Sequence, residues 1–417
     1  MGAKEAGGEP AILVCTVGGA PQPILTALAA RRWDRVVFVC TPAGGGAAGS
    51  VATVEGSAAG EPAIPEAAGL AAGSWEILLV PPDDPDTAFA RLSERIAALR
   101  RERPGARITA DFTGGTKSMG VALALAAVGT GAALQLVTGK RVDLVKVLDR
   151  SQQAIAVNTT RIAAAREFER IAAGWSRFAY QEAAEGFKRL CNDLKAEGLT
   201  RDDALLPRVT RAKELSEAFA AWDRFDHNTA ANCLRRPLYR GREIAGRSDW
   251  AALAAALARG QNAPWGALHL RDLWHNAERC AARGRYDDAV ARLYRLWEGS
   301  AQWLLRADCR IDTGVIRIGL KKAWDLYLHL RPDGAAAAFW NRAGADGRTE
   351  LERFVRESLS LRNRSILAHG WDPVTRPGWE SLAQWTRSGL LAVLAREAER
   401  LGEPHALPQL PSALPAL

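Results

Sequence analysis

The sequence predicts an α/β domain with a parallel, doubly wound sheet in its first third and an all-α remainder. Three observations predict it. Over the first 150 residues, short β-branched runs alternate with helical stretches, and parallel neighbours need such crossovers. Beyond Thr160 the apolar residues recur three and four apart and strand signals nearly vanish. Glycine pairs follow the first and fourth predicted strands, where open α/β sheets hold their ligands.

In order, Ala11–Val17 (AILVCTV) reads as a buried strand ending at Gly18-Gly19, and Pro21–Arg31 as the helix after it. Arg35–Cys40 is a second strand. Residues 41–73 are Ala/Gly-rich and hide a helix without clear limits. Trp75–Val80 is a third strand, Asp86–Arg103 an amphipathic helix, and Arg107–Phe112 a fourth strand. Lys117–Ala127 is an apolar helix and Ala133–Val137 a fifth strand, with a closing hairpin expected around Val142–Leu148. The helical part contains Arg161–Glu197, Arg211–Trp222, Leu268–Arg283, Tyr286–Arg306 and Leu351–His369, with a joint at Gly260–Pro264 and loops at Pro332–Gly334 and Asn341–Gly347. The expected division is 1–155, a helical connecting region 156–264, and 265–417.

Composition narrows the function classes. Of 417 residues, 48% are hydrophobic and 24% charged, as in ordinary globular proteins rather than disordered or fibrous ones. The apolar run Met119–Leu136 is divided by Gly120, Gly129 and Gly131, so it reads as a buried helix and strand rather than a membrane span. Met1–Pro10 has no basic-then-apolar leader pattern, and the expectation is a cytoplasmic protein with no membrane partner. Six scattered cysteines form no C-x-x-C, so neither a disulfide framework nor a zinc site is expected. The net charge of +8 lies entirely beyond Arg150, as do all six histidines. A basic pole points to a polyanion, although solvated Arg-rich helix faces give the same count.

The segment Asp111-Phe112-Thr113-Gly114-Gly115-Thr116-Lys117-Ser118-Met119 follows a strand and opens a helix. Paired glycines admit close backbone approach, the helix N-terminus offers amides, and Lys117 adds charge, a set suited to phosphates or a polar nucleotide. It is not a P-loop, because Thr116 stands where that motif needs glycine before lysine. The first loop, Thr16-Val17-Gly18-Gly19, would reach the same sheet edge. The strand followed by DFTGGTKxM resembles the CARF domain, the CRISPR-associated Rossmann fold, and the first loop resembles those of ancillary type III CRISPR nucleases. That resemblance covers about residues 10–150. It implies a dimer binding cyclic oligoadenylate across its two-fold axis, through Thr16, Gly18 and Gly19 and through Thr113, Gly114, Gly115, Thr116 and Lys117. The implied activator is taken as cyclic tetra-adenylate, although the residues themselves give no ring size.

Near the other end, Ser360-Leu361-Arg362-Asn363-Arg364-Ser365-Ile366-Leu367-Ala368-His369-Gly370 closes a strong helix, with Thr349 and Glu352 as a capping box and Gly370 at its end. Imidazole beside guanidinium suits metal-free RNA cleavage. The histidine moves a proton near neutral pH, and the arginines stabilise charge growing on the phosphate. The bland reading is a basic helix whose last-turn histidine complements the dipole. Arg-Asn-x-Ser-x-x-Ala-His-Gly also resembles the R-x4–6-H motif of HEPN ribonucleases, and Tyr286–Glu298 resembles the HEPN region of a CARF-containing subfamily. Arg362, Asn363, Arg364 and His369 are therefore the expected catalytic group, with two chains completing one site. In an unbroken helix, seven steps of about 100° bring Arg362 within about 20° of His369, whereas five leave Arg364 about 140° away. Arg362 is the expected partner of His369 on that ground.

The combined expectation is a homodimeric endoribonuclease with no cofactor or metal, switched on by cyclic oligoadenylate. It would cut single-stranded RNA to a 2′,3′-cyclic phosphate and a 5′-hydroxyl. Two rivals are a CARF sensor with a non-catalytic helical half and a nucleotide-dependent transcription regulator. Trp274-His275 and Trp324–His329 read as core aromatics with satisfied histidines, His227 as a turn or cap, and Arg235–Arg242 as a solvated loop able to touch RNA.

Overall fold

The computed structural model describes residues 9–44, 49–56, 62–139, 151–200, 202–236, 239, 243–244, 246–260, 265–316, 318–344, 347–367 and 370–415. The chain divides into two compact units, 1–166 and 167–417.

The first unit holds six strands: β1 (Ala11–Thr16), β2 (Arg35–Cys40), β3 (Trp75–Leu79), β4 (Arg107–Asp111), β5 (Ala133–Thr138) and β6 (Gln153–Val157). Their order is β3-β2-β1-β4-β5-β6, parallel except for β6, which pairs antiparallel with β5. The helices are α1 (Gln22–Ala29), α2 (Val51–Glu55), α3 (Ile64–Ala67), α4 (Pro85–Glu102) and α5 (Lys117–Thr130). Alternate residues of a strand face opposite ways. Ile12, Val14, Val37, Val39 and Ile108 accordingly pack with Leu92, Ile96 and Leu123 of α4 and α5. Leu13, Cys15, Val36 and Phe38 pack with Ile24 and Leu28 of α1 and with Val54 and Ile64. With both faces covered, β1 is buried at every position, which explains its uninterrupted apolar run. The chain leaves β1 and β4 in opposite directions along the sheet, so the crevice between their carboxyl ends is the topological switch point.

The expected hairpin at Val142–Leu148 lies outside the described residues. β6 follows it and crosses position 155, where the first domain was expected to end. Among the described residues of 41–73 there are two short helices, α2 and α3, where one was expected.

The second unit is helical: α6 (Thr160–Ala172, which begins before residue 167), a 3-10 turn (Ala173–Arg177), α7 (Tyr180–Ala196), α8 (Leu205–Asp223), α9 (His227–Leu234), α10 (Trp250–Gly260), α11 (Ala267–Ala282), α12 (Tyr286–Cys309), α13 (Thr313–Ile316), α14 (Leu320–Leu330), α15 (Ala335–Trp340), α16 (Glu350–Arg364), α17 (Arg376–Ser388) and α18 (Leu390–Leu401). The expected helix Arg161–Glu197 is broken, because Phe178 takes φ +56° and turns the chain between the 3-10 turn and α7. The joint expected at Gly260–Pro264 begins at the last residue of α10, and residues 261–264 lie outside the description. Among the described residues, no helix is long and apolar enough to cross a membrane.

A buried polar network lies in this unit. The Asp272 carboxylate accepts from Trp222 Nε1 at 3.2 Å, sits 2.8 Å from His227 Nε2 and takes Arg279 Nη2 at 3.4 Å. Arg279, fully buried, also donates to Asp223 at 2.7 Å and Gln409 at 2.7 Å. Asp226, not His227, caps α9 by accepting from Thr229 N at 3.1 Å. His275 is satisfied by Glu278 and the Leu407 carbonyl, as expected of a core histidine, but His329 is exposed. Only part of Arg235–Arg242 is described, and there Arg236 pairs with Glu214 at 3.3 Å.

Candidate ligand and nuclease sites

At the switch point the two glycine loops interlock. Thr16, the last residue of β1, is buried and donates its hydroxyl to the Gly114 carbonyl at 2.7 Å. A Cβ on Gly114 would overlap the Thr16 carbonyl, and one on Gly18 would lie 3.0 Å from Gly115 N. Gly115 holds φ +76°, a left-handed turn that a side chain would strain. Neither loop can be shaped without the other.

Their internal bonds consume most of the side-chain polarity. The buried carboxylate of Asp111 takes Thr113 N at 3.0 Å and Gln135 Nε2 at 3.0 Å. Thr113 Oγ1 accepts from Val137 N at 2.6 Å, tying the loop to β5. Thr116 Oγ1 caps α5 by accepting from Met119 N at 3.3 Å and donates to the Pro82 carbonyl. The three threonine hydroxyls expected to touch ligand also shape the loops, and Thr113, which only accepts here, keeps its own hydrogen to donate. Outward there remain exposed Gly19, Gly115 and Lys117, the last being the first residue of α5. Backbone amides, a helix N-terminus and one ammonium form a surface for phosphates. Asp111 and Gln135 were not singled out from sequence. A carboxylate closing an otherwise apolar strand was the available signal.

The second site is carried by α16. Both arms of its capping box form: Thr349 N donates to Glu352 at 2.9 Å, and Glu352 N to Thr349 Oγ1 at 3.2 Å. Phe354 stacks on Trp297 of α12, with ring centroids 3.4 Å apart, and Trp385 of α17 stacks on the same indole at 4.2 Å. The helix stops at Arg364 instead of running to His369. Asp372 N donates to the Arg364 carbonyl at 3.0 Å and Gly370 N to that of Ser365 at 3.2 Å, so the chain doubles back. Gly370 does not cap the helix. It lies against the Arg364 backbone, where a Cβ would collide. Val374 N then binds the Asp287 carboxylate at 3.1 Å, fastening the loop's exit to the first turn of α12.

Asn363 and Arg364 are exposed, as are Ile366, Leu367 and Trp371. His369 and the side chain of Arg362 lie outside the described residues. The rotation argument for Arg362 required an unbroken helix to His369, so it no longer selects between the two arginines. Among the described residues, no cluster of three or more His, Cys, Asp or Glu is placed to hold a metal ion.

Residues 260–313 match the family described as the Csm6 HEPN domain, a span that contains α11 and α12 and ends before α16. The match covers those residues of the helical unit alone, and the Rossmann-like unit lies ahead of them in the chain. Among solved structures, Csm6 of Enterococcus italicus, bound to cyclic hexa-2′-fluoro-hexa-dAMP, is similar over 94% of this chain and 97% of its own, at 13% identity and TM-score 0.48. Can2 of Sulfobacillus thermosulfidooxidans, in complex with cyclic tetra-adenylate, is similar over 60% of this chain and 68% of its own, at 12% identity and TM-score 0.25. Protein VC1899 of Vibrio cholerae is similar over 57% and 74%, at 11% and 0.25. No curated protein matches the sequence. The α11–α12 pair within the matched span also contributes Asp272 and Arg279 to the buried network and Asp287 to the loop after α16.

Proposed function

We propose that the CARF unit binds cyclic oligoadenylate through its interlocked loops and thereby switches on a metal-independent HEPN endoribonuclease acting on single-stranded RNA in type III CRISPR defence. The observation that carries this reading is the Csm6 HEPN match lying in the same chain as those loops. The working partition remains 1–155, 156–264 and 265–417. In the cytoplasm, a homodimer would bring two copies of the Arg-Asn…His segment together, since one histidine and two arginines are thin for a complete site.

In the reaction, His369 removes the proton from a ribose 2′-hydroxyl and the 2′-oxygen attacks the adjacent phosphorus. The bond to the 5′-oxygen breaks, and that oxygen takes up a proton. The products are a 2′,3′-cyclic phosphate and a 5′-hydroxyl, with no water consumed. Arg362 and Arg364 stabilise the charge on the phosphoryl oxygens, and Asn363 orients the substrate.

The test is incubation of the full chain with labelled single-stranded RNA in EDTA, with cyclic tetra-adenylate, with cyclic hexa-adenylate, or with neither. Activator-dependent cutting that His369→Ala abolishes is the expected result. Absence of cutting with either ring sinks the ribonuclease reading and favours a binding-only sensor, which the end of the HEPN match at residue 313, short of the arginines, keeps in view.

A further inference from the structure

A cavity of about 650 Å³ opens in the second unit, lined by none of the residues that form the two sites just described. It forms where the chain breaks between α6 and α7. Phe178 turns left-handed, Ala179 N binds the Gly174 carbonyl at 3.0 Å, and a Cβ on Gly186 would come within 3.0 Å of Ile171. Five arginines line it: Arg170 from α6, Arg177 from the 3-10 turn, Arg189 from α7, and Arg283 and Arg285 from the α11–α12 turn. The lining includes a single carboxylate, Glu182.

Three of the guanidinium groups are already engaged, Arg170 by Glu167, Arg283 by Asp223 at 2.7 Å, and Arg285 by Asp288 at 2.8 Å. Among the described residues, no hydrogen bond or ion pair engages Arg177 or Arg189, both exposed, and Arg189 lies near enough to the Glu167 carboxylate only to help lower its pKa. Arg283 Nε is buried at the inner wall without an acceptor. Unengaged guanidinium groups on an open cleft recognise phosphate oxygens. A cavity of this volume is the size of an ordinary ligand site. The lining contains no aromatic ring on which a base could stack, so contact would be with the backbone and indifferent to sequence.

We infer that this arginine-lined cleft is a second RNA contact, holding the phosphate backbone of single-stranded RNA apart from the Arg-Asn…His segment. It deepens the ribonuclease reading and rests on it for the identity of the polyanion.

The experiment measures binding of a labelled, 2′-O-methylated, uncleavable single strand to the full chain in EDTA across a salt series. It compares the wild type with Arg177→Ala/Arg189→Ala and with Lys188→Ala/Lys195→Ala. The lysine pair removes equal charge from exposed positions of α7 outside the cleft. Losing two phosphate contacts should lower the slope of log affinity against log salt by about 1.4 for a single strand. The lysine pair should leave it near the wild-type value, and strands of different sequence should behave alike. Equal slopes in all three proteins, equal losses in both variants, or no binding by the wild type would each overturn the cleft. A protein that cuts RNA on activation yet shows equal slopes keeps the ribonuclease reading and loses only this inference. One that binds through the cleft and never cuts does the reverse.

Discussion

At Gly114 one added methyl group would meet the Thr16 carbonyl, whereas at Gly19 it would meet no atom within 4 Å. Gly114→Ala is therefore expected to force the two loops apart, costing about 1–3 kcal/mol, the usual range for overpacking. Gly19→Ala should leave the melting temperature unchanged. Thermal unfolding of the two variants checks this, and equal melting points would contradict the interlock. Lys117 is exposed, so Lys117→Ala should lower activator affinity at least several-fold without moving the melting temperature, as calorimetry would show. The two glycine loops were legible in the sequence as a motif, but the work of each residue was not. Thr16, Thr113 and Thr116 read from sequence as ligand donors, and only the structure shows that each hydroxyl also makes a bond within the loops. Gly370 looks like a helix stop until its contact with Arg364 shows a steric role. Sequence displays a donor but not the partner that consumes it.

The elements divide by how they announce themselves. β1 and β2 are buried on both faces and read as apolar runs, so their limits were legible to within a residue. β6 is a partly exposed edge strand, QAIAV, with no such signal. The break between α6 and α7 is equally silent, because its left-handed residue is Phe178 rather than glycine. At α16 the N-terminus obeyed its capping box, while the C-terminus was set by long-range bonds to Asp372 and, through Val374, to Asp287. Thr349→Ala should cost about 1 kcal/mol. For a unit of this size that lowers the melting temperature by about 2–4 °C, and Thr349→Ser should restore it. A melt unchanged by Thr349→Ala would mean that the aromatic stack on Trp297, not the cap, seats the helix.

Across the molecule, buried ionisable groups make stability depend on pH. Burial pushes the His269 imidazole below its usual value of 6.5, assisted by the nearby His227 and opposed by its bond to the Leu257 carbonyl at 3.0 Å. Below pH about 6.5 the unfolded chain takes a proton that the folded one refuses, so stability falls as pH drops through that window. Burial alone would raise the Asp272 carboxyl, but the His227 hydrogen bond and the Arg279 charge outweigh it and hold the group below the usual range. Its contribution is present above the unfolded carboxylate value, about 3.9, and is lost as pH falls through the lower folded one. Melting temperature should thus decline first below pH about 6.5 and again below about 4. His269→Gln should remove the upper decline alone, and its persistence in that variant would contradict the assignment to His269. The division into two units has an optical corollary. Of fourteen tryptophans only Trp33 and Trp75 belong to the first unit, and the other twelve lie beyond residue 174. Intrinsic fluorescence from this protein is almost entirely a report from the helical unit. An emission change on adding a cyclic nucleotide, set against the same titration of Lys117→Ala, would make the unlabelled chain its own gauge of communication from sheet to helices.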